Sequence, residues 1–296
     1  MDNITFNSVN DYNTFNNNET LNPLVSIVDL SKAAPRKNYK MIFNLYCIVL
    51  KQTQCGDIKY GNSLYDYQEG TLVFFGPGQV VEVMSDDFYQ PHGTVLVFHP
   101  DLLNNTPLGH KMDEYNFFSY NTNEALHLSE REKKMVLDSF SKIEFELEQS
   151  IDKHSKKLIA SNIELFLNYC TRFYDRQFIT RDTVNRGVLE RFENVLKSYY
   201  SSDMPQLLGL PSVAYCADEL HLSPNYFGDL IKKETGITAQ EQIQTKVINI
   251  AKERIFDYDK SLSQVAYELG FKYPQHFTRL FKQKVGMSPN AYRSMN

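Results

Sequence analysis

Hydrophobic residues recur with two different spacings along the chain, and the change of spacing divides it into two parts. Up to about residue 120, apolar residues form short runs such as 71–75 and 94–98, which Gly and Pro separate. Short apolar runs between turn residues are typical of β-strands. From about residue 129, apolar residues recur every three or four positions, as on the buried face of a helix. The pattern predicts a β part followed by a helical part, and 296 residues suffice for two domains.

The β part is expected to span residues 24–120. Its predicted strands lie at 41–50, 71–75, 80–84 and 94–98, with turns at Gly70, Gly76-Pro77-Gly78 and Pro91-His92-Gly93. Short strands joined by such turns indicate a β-barrel or a double-sheet roll. Residues 1–20 are rich in Asn and show no hydrophobic period, so we expect them to form a flexible N-terminal arm.

Two amphipathic helices are predicted after the β part. The first begins at a capping box, Ser129-Glu-Arg-Glu132. The second is expected over residues 153–173, with Leu158, Ile159 and Ile163 on its apolar side. One helix can cover the β domain and the second is a candidate dimer contact, although both could simply pack on the sheet. The polar residues that follow have no clear period, so residues 176–186 are predicted to link a domain at 21–175 to one at 187–296.

Residues 211–293 contain one pattern twice. In the first half of the pattern the repeat distance is 49 residues, and the matching pairs are Ala217 and Ala266, Leu220 and Leu269, and Leu222 and Phe271. In the second half the distance is 50 residues, and the pairs are Phe227 and Phe277, Leu230 and Leu280, Ile231 and Phe281, and Gly236 and Gly286. The single extra residue is therefore expected in the turn, where an insertion costs least.

Each copy of the pattern predicts a helix, a tight turn and a second helix. Ser223 is a good N-cap and Pro224 suits the first helical position, so a new helix should begin there. Gly236 is typical of a helix end. This arrangement is that of a helix-turn-helix unit, whose second helix can enter the major groove of DNA. A plain helical hairpin is the alternative, and two copies with matching turn and core positions weigh against it.

The two copies and the stretch between them, 246–255, resemble the DNA-binding domain of AraC/XylS-type transcription regulators. The most specific part of the resemblance is the ending Lys282-Gln-Lys-Val-Gly286-Met-Ser-Pro289-Asn-Ala-Tyr292-Arg293. The resemblance implies an α+β protein of two domains. Its N-terminal domain would be a cupin-like β-barrel with two packing helices, and its C-terminal domain would hold two helix-turn-helix units joined by a connecting helix. It also implies a homodimer that binds double-stranded promoter DNA and RNA polymerase.

The charge distribution separates the same two parts. The net charge of the chain is −5, which by itself argues against nucleic-acid binding. Residues 185–296 contain 14 basic and 12 acidic side chains, whereas residues 1–184 contain 17 and 24. Within residues 271–296 there are five basic side chains and no acidic ones. Phosphate binding depends on such local charge, so the end of the chain is the predicted contact region.

The residues expected to touch DNA lie opposite the predicted buried stripes of the two second helices. In the first copy they are Asn225, Asp229 and Lys232, and in the second copy Gln275, Thr278, Arg279 and Lys282. Gln can bond to adenine through two hydrogen bonds and Arg to guanine, whereas the two lysines suit phosphates. Asp229 departs from the basic or neutral residue that is more usual in the family. It can accept a hydrogen bond from cytosine, or the second copy can supply more of the affinity.

Several other classes of function find little support in the sequence. Metal-binding cupins are similar to one another in a His-x-His cluster, and His92, His99 and His110 do not have that spacing. We therefore expect no metal, no cofactor and no catalytic residues. Four scattered cysteines, Cys47, Cys55, Cys170 and Cys216, are expected to be reduced structural thiols. The sequence has no long apolar run and no signal-like start, so we expect a cytoplasmic protein without a membrane partner.

The prediction is therefore a sequence-specific DNA-binding transcription regulator controlled by a small-molecule effector of its N-terminal domain. Two alternatives remain. One is a cupin-fold enzyme fused to a DNA-binding domain, which would need a metal site. The other is a ligand-independent dimeric regulator, which an apolar or closed barrel interior would favour. The sequence identifies neither the effector nor the operator.

Overall fold

A computed structural model describes residues 2–37, 39–51, 70–83, 87–121, 124–180 and 182–294. The chain divides into two units, residues 1–180 and 181–296. The described elements of the first unit, in chain order, are β1 (Asp2–Phe6), α1 (Val9–Phe15), β2 (Val25–Asp29), β3 (Tyr39–Phe43), β4 (Tyr46–Lys51), β5 (Thr71–Phe75), β6 (Gln79–Val83), β7 (Thr94–Phe98), β8 (Leu126–His127), α2 (Glu130–Glu148) and α3 (Ser155–Thr180). Short 3-10 turns occupy much of residues 100–119, a range expected to be β.

The described strands of the first unit form two sheets. Strands β1, β3 and β6 make one sheet in that order, and the order in the other is β2-β7-β4-β5-β8. The sheets are not closed into one hydrogen-bonded ring in the described part, so the predicted β-barrel is not confirmed there. The apolar run 41–50 is divided between both sheets, because a turn at Asn44 separates β3 from β4. This change of sheet is why a single long run does not form a single long strand.

The core of the first unit lies between the two sheets. Side chains alternate along a strand, so every second residue of β3, β4, β5 and β6 points into this interior. Phe43 and Phe75 stack across it at 5.4 Å between ring centroids, nearly parallel at 3°. Strand β5 is buried along its whole length, which explains its continuous apolar sequence.

The N-terminal segment is folded, contrary to the expectation of a flexible arm at residues 1–20. Strand β1 pairs in parallel with β3, and α1 begins at a capping box formed by Ser8 and Asp11. Asn13 and Asn16 are fully buried, and their side-chain amides donate to Thr20 Oγ1 and to the Tyr12 carbonyl. The Asn-rich composition thus serves internal hydrogen bonds, which composition alone does not distinguish from solvated amides.

Helices α2 and α3 pack against the larger sheet and against each other. The predicted capping box at Ser129 and Glu132 is present, and Val136, Phe140, Ile143 and Leu147 are buried as their spacing indicated. Helix α3 is longer than predicted and is tied to β8. Arg176 donates to the His127 carbonyl at 2.7 Å and pairs with Glu132. Leu158 is 46% exposed, so its predicted place on the apolar side is wrong.

The range expected to be a linker, 176–186, contains the end of α3 and the beginning of the next helix. Gln177 satisfies backbone groups of β8 and of the residue before it: its side chain accepts from the His127 amide and donates to the Ala125 carbonyl. Phe178 is buried as well. Side chains that look like those of a solvated linker are in this case part of the first unit.

The second unit is helical throughout its described residues. Its elements are α4 (Asp182–Tyr200), α5 (Met204–Leu208), α6 (Val213–Glu219), α7 (Pro224–Thr235), α8 (Ala239–Arg254), α9 (Leu262–Glu268), α10 (Pro274–Val285) and α11 (Pro289–Ser294). Phe192 of α4 packs edge-on against Phe227 of α7 at 4.9 Å. A separate cluster of buried residues from α8, α9 and α10, with Tyr199 and Tyr200, forms the core around the second copy of the repeat.

Three of the cysteines are free and buried: Cys47, Cys170 and Cys216. Burial raises the pKa of the Cys47 and Cys216 thiols to about 12, so they are protonated at neutral pH and unreactive as nucleophiles. Cys55 and Met84, the last residue of a predicted strand, lie outside the described residues. Within the described part of the chain, no helix has both the length and the apolar character needed to cross a membrane.

Candidate nucleic-acid interface

Helices α6 and α7 form the first helix-turn-helix unit, as the repeat predicted. The Ser223 hydroxyl accepts a hydrogen bond from the Tyr226 amide, and Pro224 occupies the first turn of α7. Phe227 and Ile231 are fully buried and Gly236 ends the helix in the left-handed conformation at φ 76°. The N-cap, the buried stripe and the helix end therefore lie where the sequence placed them.

Helices α9 and α10 repeat this arrangement and form the second helix-turn-helix unit. The Ser261 hydroxyl and the Gln264 side chain form a capping box at the start of α9. Phe277 and Phe281 are buried, and Gly286 ends α10 at φ 87°. Leu280, predicted to face inward, is only half-buried at the edge of the cluster.

The turns of the two units share one unusual backbone position. His221 in the first turn has φ 57°, and Gly270, its counterpart 49 residues later, has φ 92°. Residues with a side chain rarely adopt this left-handed backbone region. The second turn has glycine at this position, whereas the first turn has His221 in the same region. The extra residue of the second turn is Lys272, between Phe271 and Tyr273. Tyr273 then takes the N-cap position of Ser223, without a capping side-chain hydrogen bond.

All residues predicted to contact DNA lie on the outer faces of α7 and α10. Exposed side chains are those of Asn225, Lys232, Gln275, Thr278, Arg279 and Lys282, whereas Asp229 is half-buried. The Thr278 hydroxyl donates to the Pro274 carbonyl one turn earlier, at 3.1 Å. Helices α7 and α10 therefore each combine a buried apolar face with an outward polar face.

The basic residues of the second unit fall into two groups. In the first group, Arg254 donates to the Tyr200 carbonyl at 3.0 Å and Lys260 pairs with Glu268 at 2.8 Å, so both serve the fold. In the second group, Arg279 and Lys282 make no side-chain hydrogen bond or ion pair with any described residue. Charges without such internal partners are the ones available to phosphates.

Arg293 belongs to the first group, although its position in the acid-free stretch 271–296 suggested phosphate binding. Its guanidinium donates to the carbonyls of Ile255 and Lys260, the latter at 3.2 Å. Tyr292 packs against Phe281 at 5.6 Å. The closing segment that carries the family resemblance therefore attaches α11 to the residues that follow α8. Arg293 keeps its charge, but the carbonyl contacts hold its guanidinium within the fold.

Helix α8 connects the two helix-turn-helix units through its buried side. The Thr238 side chain caps it, and the hydrogen bond from the Thr238 amide, followed by that from its hydroxyl, lowers the pKa of Glu241 below its usual value. Val247 is 1% exposed and lies in the core of the second helix-turn-helix unit. Val247 therefore holds the units together and is not placed to contact DNA.

Three residues at the start of α10 were not predicted as contacts. Lys272 and Tyr273 are exposed, with the Lys272 ammonium 5.7 Å from the Tyr273 ring centroid. His276 lies edge-on to the same ring at 5.5 Å. The change of repeat distance from 49 to 50 marked this turn, because an insertion just before a recognition helix alters which side chains its first turn presents.

The donor side chains that could bind a metal are dispersed over the described residues. In the part of the chain that the structure describes, no three His, Cys, Asp or Glu side chains come together in a way that could hold an ion. The outer faces of α7 and α10 offer a polar, partly basic helical surface.

Fold and surface together define a tandem helix-turn-helix domain. The sequence model of a family described as a helix-turn-helix domain matches residues 216–295. The chain is 32% identical over 141 residues to the uncharacterised HTH-type transcriptional regulator YfiF of Bacillus subtilis, which is 48% of this chain and 41% of that protein. It is 34% identical over 140 residues to the regulatory protein PocR of Salmonella typhimurium, which is 46% of this chain and 45% of that protein.

A third relative combines regulation with catalysis. The bifunctional transcriptional activator/DNA repair enzyme AdaA of Bacillus subtilis is 30% identical over 103 residues, which is 35% of this chain and 47% of that protein. The chain thus spans less than half the length of each of these three relatives. The C-terminal part of the chain carries a helix-turn-helix domain of the AraC type, as its repeat and closing segment implied.

Solved structures give weaker likenesses. The DNA-binding domain of AdpA in complex with a target DNA is 22% identical and covers 36% of this chain and 90% of that one, with a TM-score of 0.32. ToxT from Vibrio cholerae is 12% identical and covers 92% of this chain and 97% of that one, with a TM-score of 0.30. At these scores neither likeness is close enough to define how the chain acts.

Proposed function

We propose that the chain is a sequence-specific DNA-binding transcription regulator whose second unit binds double-stranded promoter DNA through α7 and α10. One observation carries the proposal: two 12-residue helices, each after a tight turn, bury an apolar stripe and present polar side chains outward. A recognition helix needs this division, because its inner face must fix it to the domain while its outer face reads base edges. We expect the two helices to reach successive major grooves about 34 Å apart on one side of the domain.

Each outer-face residue has a role that its chemistry suits. Gln275 and Asn225 match adenine and Arg279 matches guanine, each through two hydrogen bonds. The methyl group of Thr278 suits apolar contact with the methyl group of thymine. Lys232 and Lys282 lie further along their helices, where phosphates pass. Asp229 accepts from cytosine or reduces the affinity of the first helix-turn-helix unit, and variants at this position separate the two.

The proposal is tested by selecting genomic DNA fragments with the purified full chain and titrating the selected fragment against a scrambled one at several salt concentrations. We expect the selected fragment to bind about 10³-fold or more tightly than the scrambled one at physiological salt. Equal affinity for both fragments at every salt concentration would contradict sequence-specific binding.

The first unit is proposed to be a cupin-like domain that binds a small-molecule effector and sets the affinity of the second for DNA. Two sheets facing each other around an interior support a cupin-like fold. Basic side chains in that interior favour ligand control over a ligand-independent regulator, for which an apolar interior was the expected sign. Effector binding would shift the population of DNA-binding states and so the recruitment of RNA polymerase.

An enzyme fused to the DNA-binding domain is the rival function. The bifunctional relative AdaA favours keeping this rival under test. Metal analysis of the purified, untagged chain addresses the metal-dependent form of the rival. Stoichiometric transition metal in that preparation would support the enzyme and contradict the proposal.

Homodimerisation is proposed to use the outer side of α3. Leu158 and Leu165 are seven residues apart, on one side of the helix, and are 46% and 47% exposed. Replacing both with Glu should convert a dimer into a monomer in light scattering after size exclusion. Leu207→Glu, on an apolar residue of α5 that is 75% exposed, serves as the control and should leave the mass unchanged.

A further inference from the structure

Gly228 lies in the middle of α7, at a position where the fold does not require a glycine. Its backbone is helical, and it is not among the glycines with a positive φ. A Cβ atom added to Gly228 would meet no atom within 4 Å beyond its own stretch of helix. Glycine inside a helix is less favourable than alanine, because it loses more backbone freedom on folding. Within the described residues, this glycine therefore lowers the stability of α7 and improves no packing contact.

Gly228 shares the outer face of α7 with the side chains expected to read bases. Asn225 lies three positions before it and Lys232 four positions after it, so the three residues follow one side of the helix. The opposite side carries the buried Phe227 and Ile231. Gly228 is partly exposed on this outer face, and no side chain projects from it. The surface of α7 is therefore lowest between two of its proposed DNA contacts.

The matching face of α10 has longer side chains. The repeat distance of 50 residues pairs Gly228 with Thr278 and Asn225 with Gln275, which is one methylene longer. Arg279, next to Thr278, is longer still. A short side chain can bond to a base edge only if its helix lies close to the bases, and a glycine allows a helix backbone to approach a ligand closely. The short reader and the glycine of α7 thus favour the same close position.

We propose that α7 lies closer to the base edges of the major groove than α10 does, and that Gly228 is the specificity-determining residue that permits this approach. Close approach lets the Asn225 amide make two hydrogen bonds to adenine, while the absent side chain at Gly228 avoids a clash with the neighbouring base pair. In α10 the longer Gln275 reaches the same kind of base edge from further out. The inference deepens the proposed DNA binding, on which it rests.

Gly228→Ala in the full chain should change stability and DNA affinity in opposite directions. The added methyl group should raise the midpoint of thermal unfolding of the second unit, followed by circular dichroism, by about 2–5 °C. It should weaken binding to the selected DNA fragment about tenfold, because the helix can no longer come as close to the bases. Binding to scrambled DNA and the slope of log affinity against log salt should stay unchanged, since no phosphate contact is lost.

Gly187→Ala is the matched control. Gly187 lies in α4, outside both helix-turn-helix units, and a Cβ atom there would likewise meet no atom within 4 Å beyond its own stretch of helix. The substitution should raise the unfolding midpoint by a similar amount and leave affinity for the selected fragment unchanged. Wild-type affinity of Gly228→Ala for that fragment would overturn the proposal, as would an equal loss of affinity in Gly187→Ala. A lower unfolding midpoint in Gly228→Ala would show that the fold itself requires this glycine and would overturn the proposal too.

A longer reader tests the distance between α7 and the bases. Asn225→Gln in the Gly228→Ala background adds one methylene and keeps the amide that matches adenine. We expect this double variant to bind the selected fragment at least about threefold more tightly than Gly228→Ala, whereas Asn225→Gln alone should bind it more weakly than wild type. Losses that simply add in the double variant would overturn the link between side-chain length and close approach.

The same titrations separate this inference from the function on which it rests. Specific binding by the wild-type chain that does not change in Gly228→Ala supports the regulator and overturns the close approach of α7. Equal affinity of the wild-type chain for selected and scrambled DNA overturns both.

Discussion

The two helix-turn-helix units differ far more in their outer faces than in their cores. Residues 211–238 contain two basic and four acidic side chains, whereas the equivalent residues 261–288 contain four basic side chains and one acidic. Yet Phe227 and its counterpart Phe277 are both buried in the cores of their units. Packing inside each unit is thus repeated while the charge outside is reversed. The repeat therefore preserves the packing of the unit, while the net charge of its surface differs between the two copies.

The difference in charge predicts different roles in DNA binding for the two helix-turn-helix units. A net negative unit gains little from phosphates, so it contributes mainly by placing base-reading side chains once the chain is bound. A net positive unit attracts DNA of any sequence and holds it. Experiments on matched positions can break this assignment or sharpen it, and four follow from the pairs that the repeat defines.

The largest effect is expected from the cores. Phe227→Ala and Phe277→Ala, at matched positions, should each lower the free energy of unfolding by about 3–5 kcal/mol, because each removes a buried ring from a close-packed site. Urea unfolding followed by circular dichroism measures this. Leu207→Ala, at a residue that is 75% exposed, should change it by less than about 0.5 kcal/mol. A large loss for one Phe and a negligible one for the other would show that the cores are not equivalent.

The two turns give the next largest contrast. A Cβ atom on Gly270 would lie 2.6 Å from the backbone of Gly209, at a positive φ. Gly270→Ala should therefore cost about 1–3 kcal/mol of overpacking in the same unfolding assay. His221→Gly, at the matching position, should change stability by less than about 1 kcal/mol, since relief of the left-handed conformation opposes the greater freedom of glycine when unfolded. Equal losses at both positions would contradict the difference between the turns.

The sequence predicted best the elements whose pattern is local. The helix start at Ser223, the helix ends at Gly236 and Gly286, and the strands at 71–75 and 94–98 follow from residues within one or two turns of each other. The outer faces of α7 and α10 followed as well, because the position of a buried stripe determines what lies opposite it.

Features that depend on distant partners were predicted poorly. The N-terminal segment looked disordered because its buried amides bond to groups that only the fold brings near, as Arg36 does with Asn16. The structural role of Arg293 could not be seen in the basic stretch 271–296, because its carbonyl partners lie more than thirty positions earlier. The closure of the sheets into a barrel likewise depends on pairings that a period along one strand does not encode.

The matched positions 229 and 279 test which unit reads bases. Arg279→Ala should weaken specific DNA binding by about 1–3 kcal/mol and relax the preference at one base pair. Asp229→Asn separates the two roles open to Asp229. If Asp229 reads cytosine, the substitution relaxes preference at one base pair in the first half of the site. If Asp229 only repels phosphates, it raises the affinity for selected and scrambled DNA alike. Wild-type affinity of Arg279→Ala for both DNAs would show that the assigned face of α10 is wrong.

The smallest effect, and the sharpest on electrostatics, is expected at Lys232 and Lys282, which lie 50 residues apart in equivalent places. Lys282→Ala should weaken binding to selected and scrambled DNA alike and reduce the slope of log affinity against log salt by about one, because one phosphate contact is lost. Lys232→Ala should reduce the slope by less than about half as much, since the acidic surroundings of the first unit leave that lysine less engaged with phosphate. Lys40→Ala, in an ion pair with Glu82 in the other unit, should leave the slope unchanged. The measurement is a titration at five salt concentrations with each DNA. Equal reductions for Lys232→Ala and Lys282→Ala would mean that both units hold the backbone equally, and the division of work between them would then be wrong even if both helices enter the major groove.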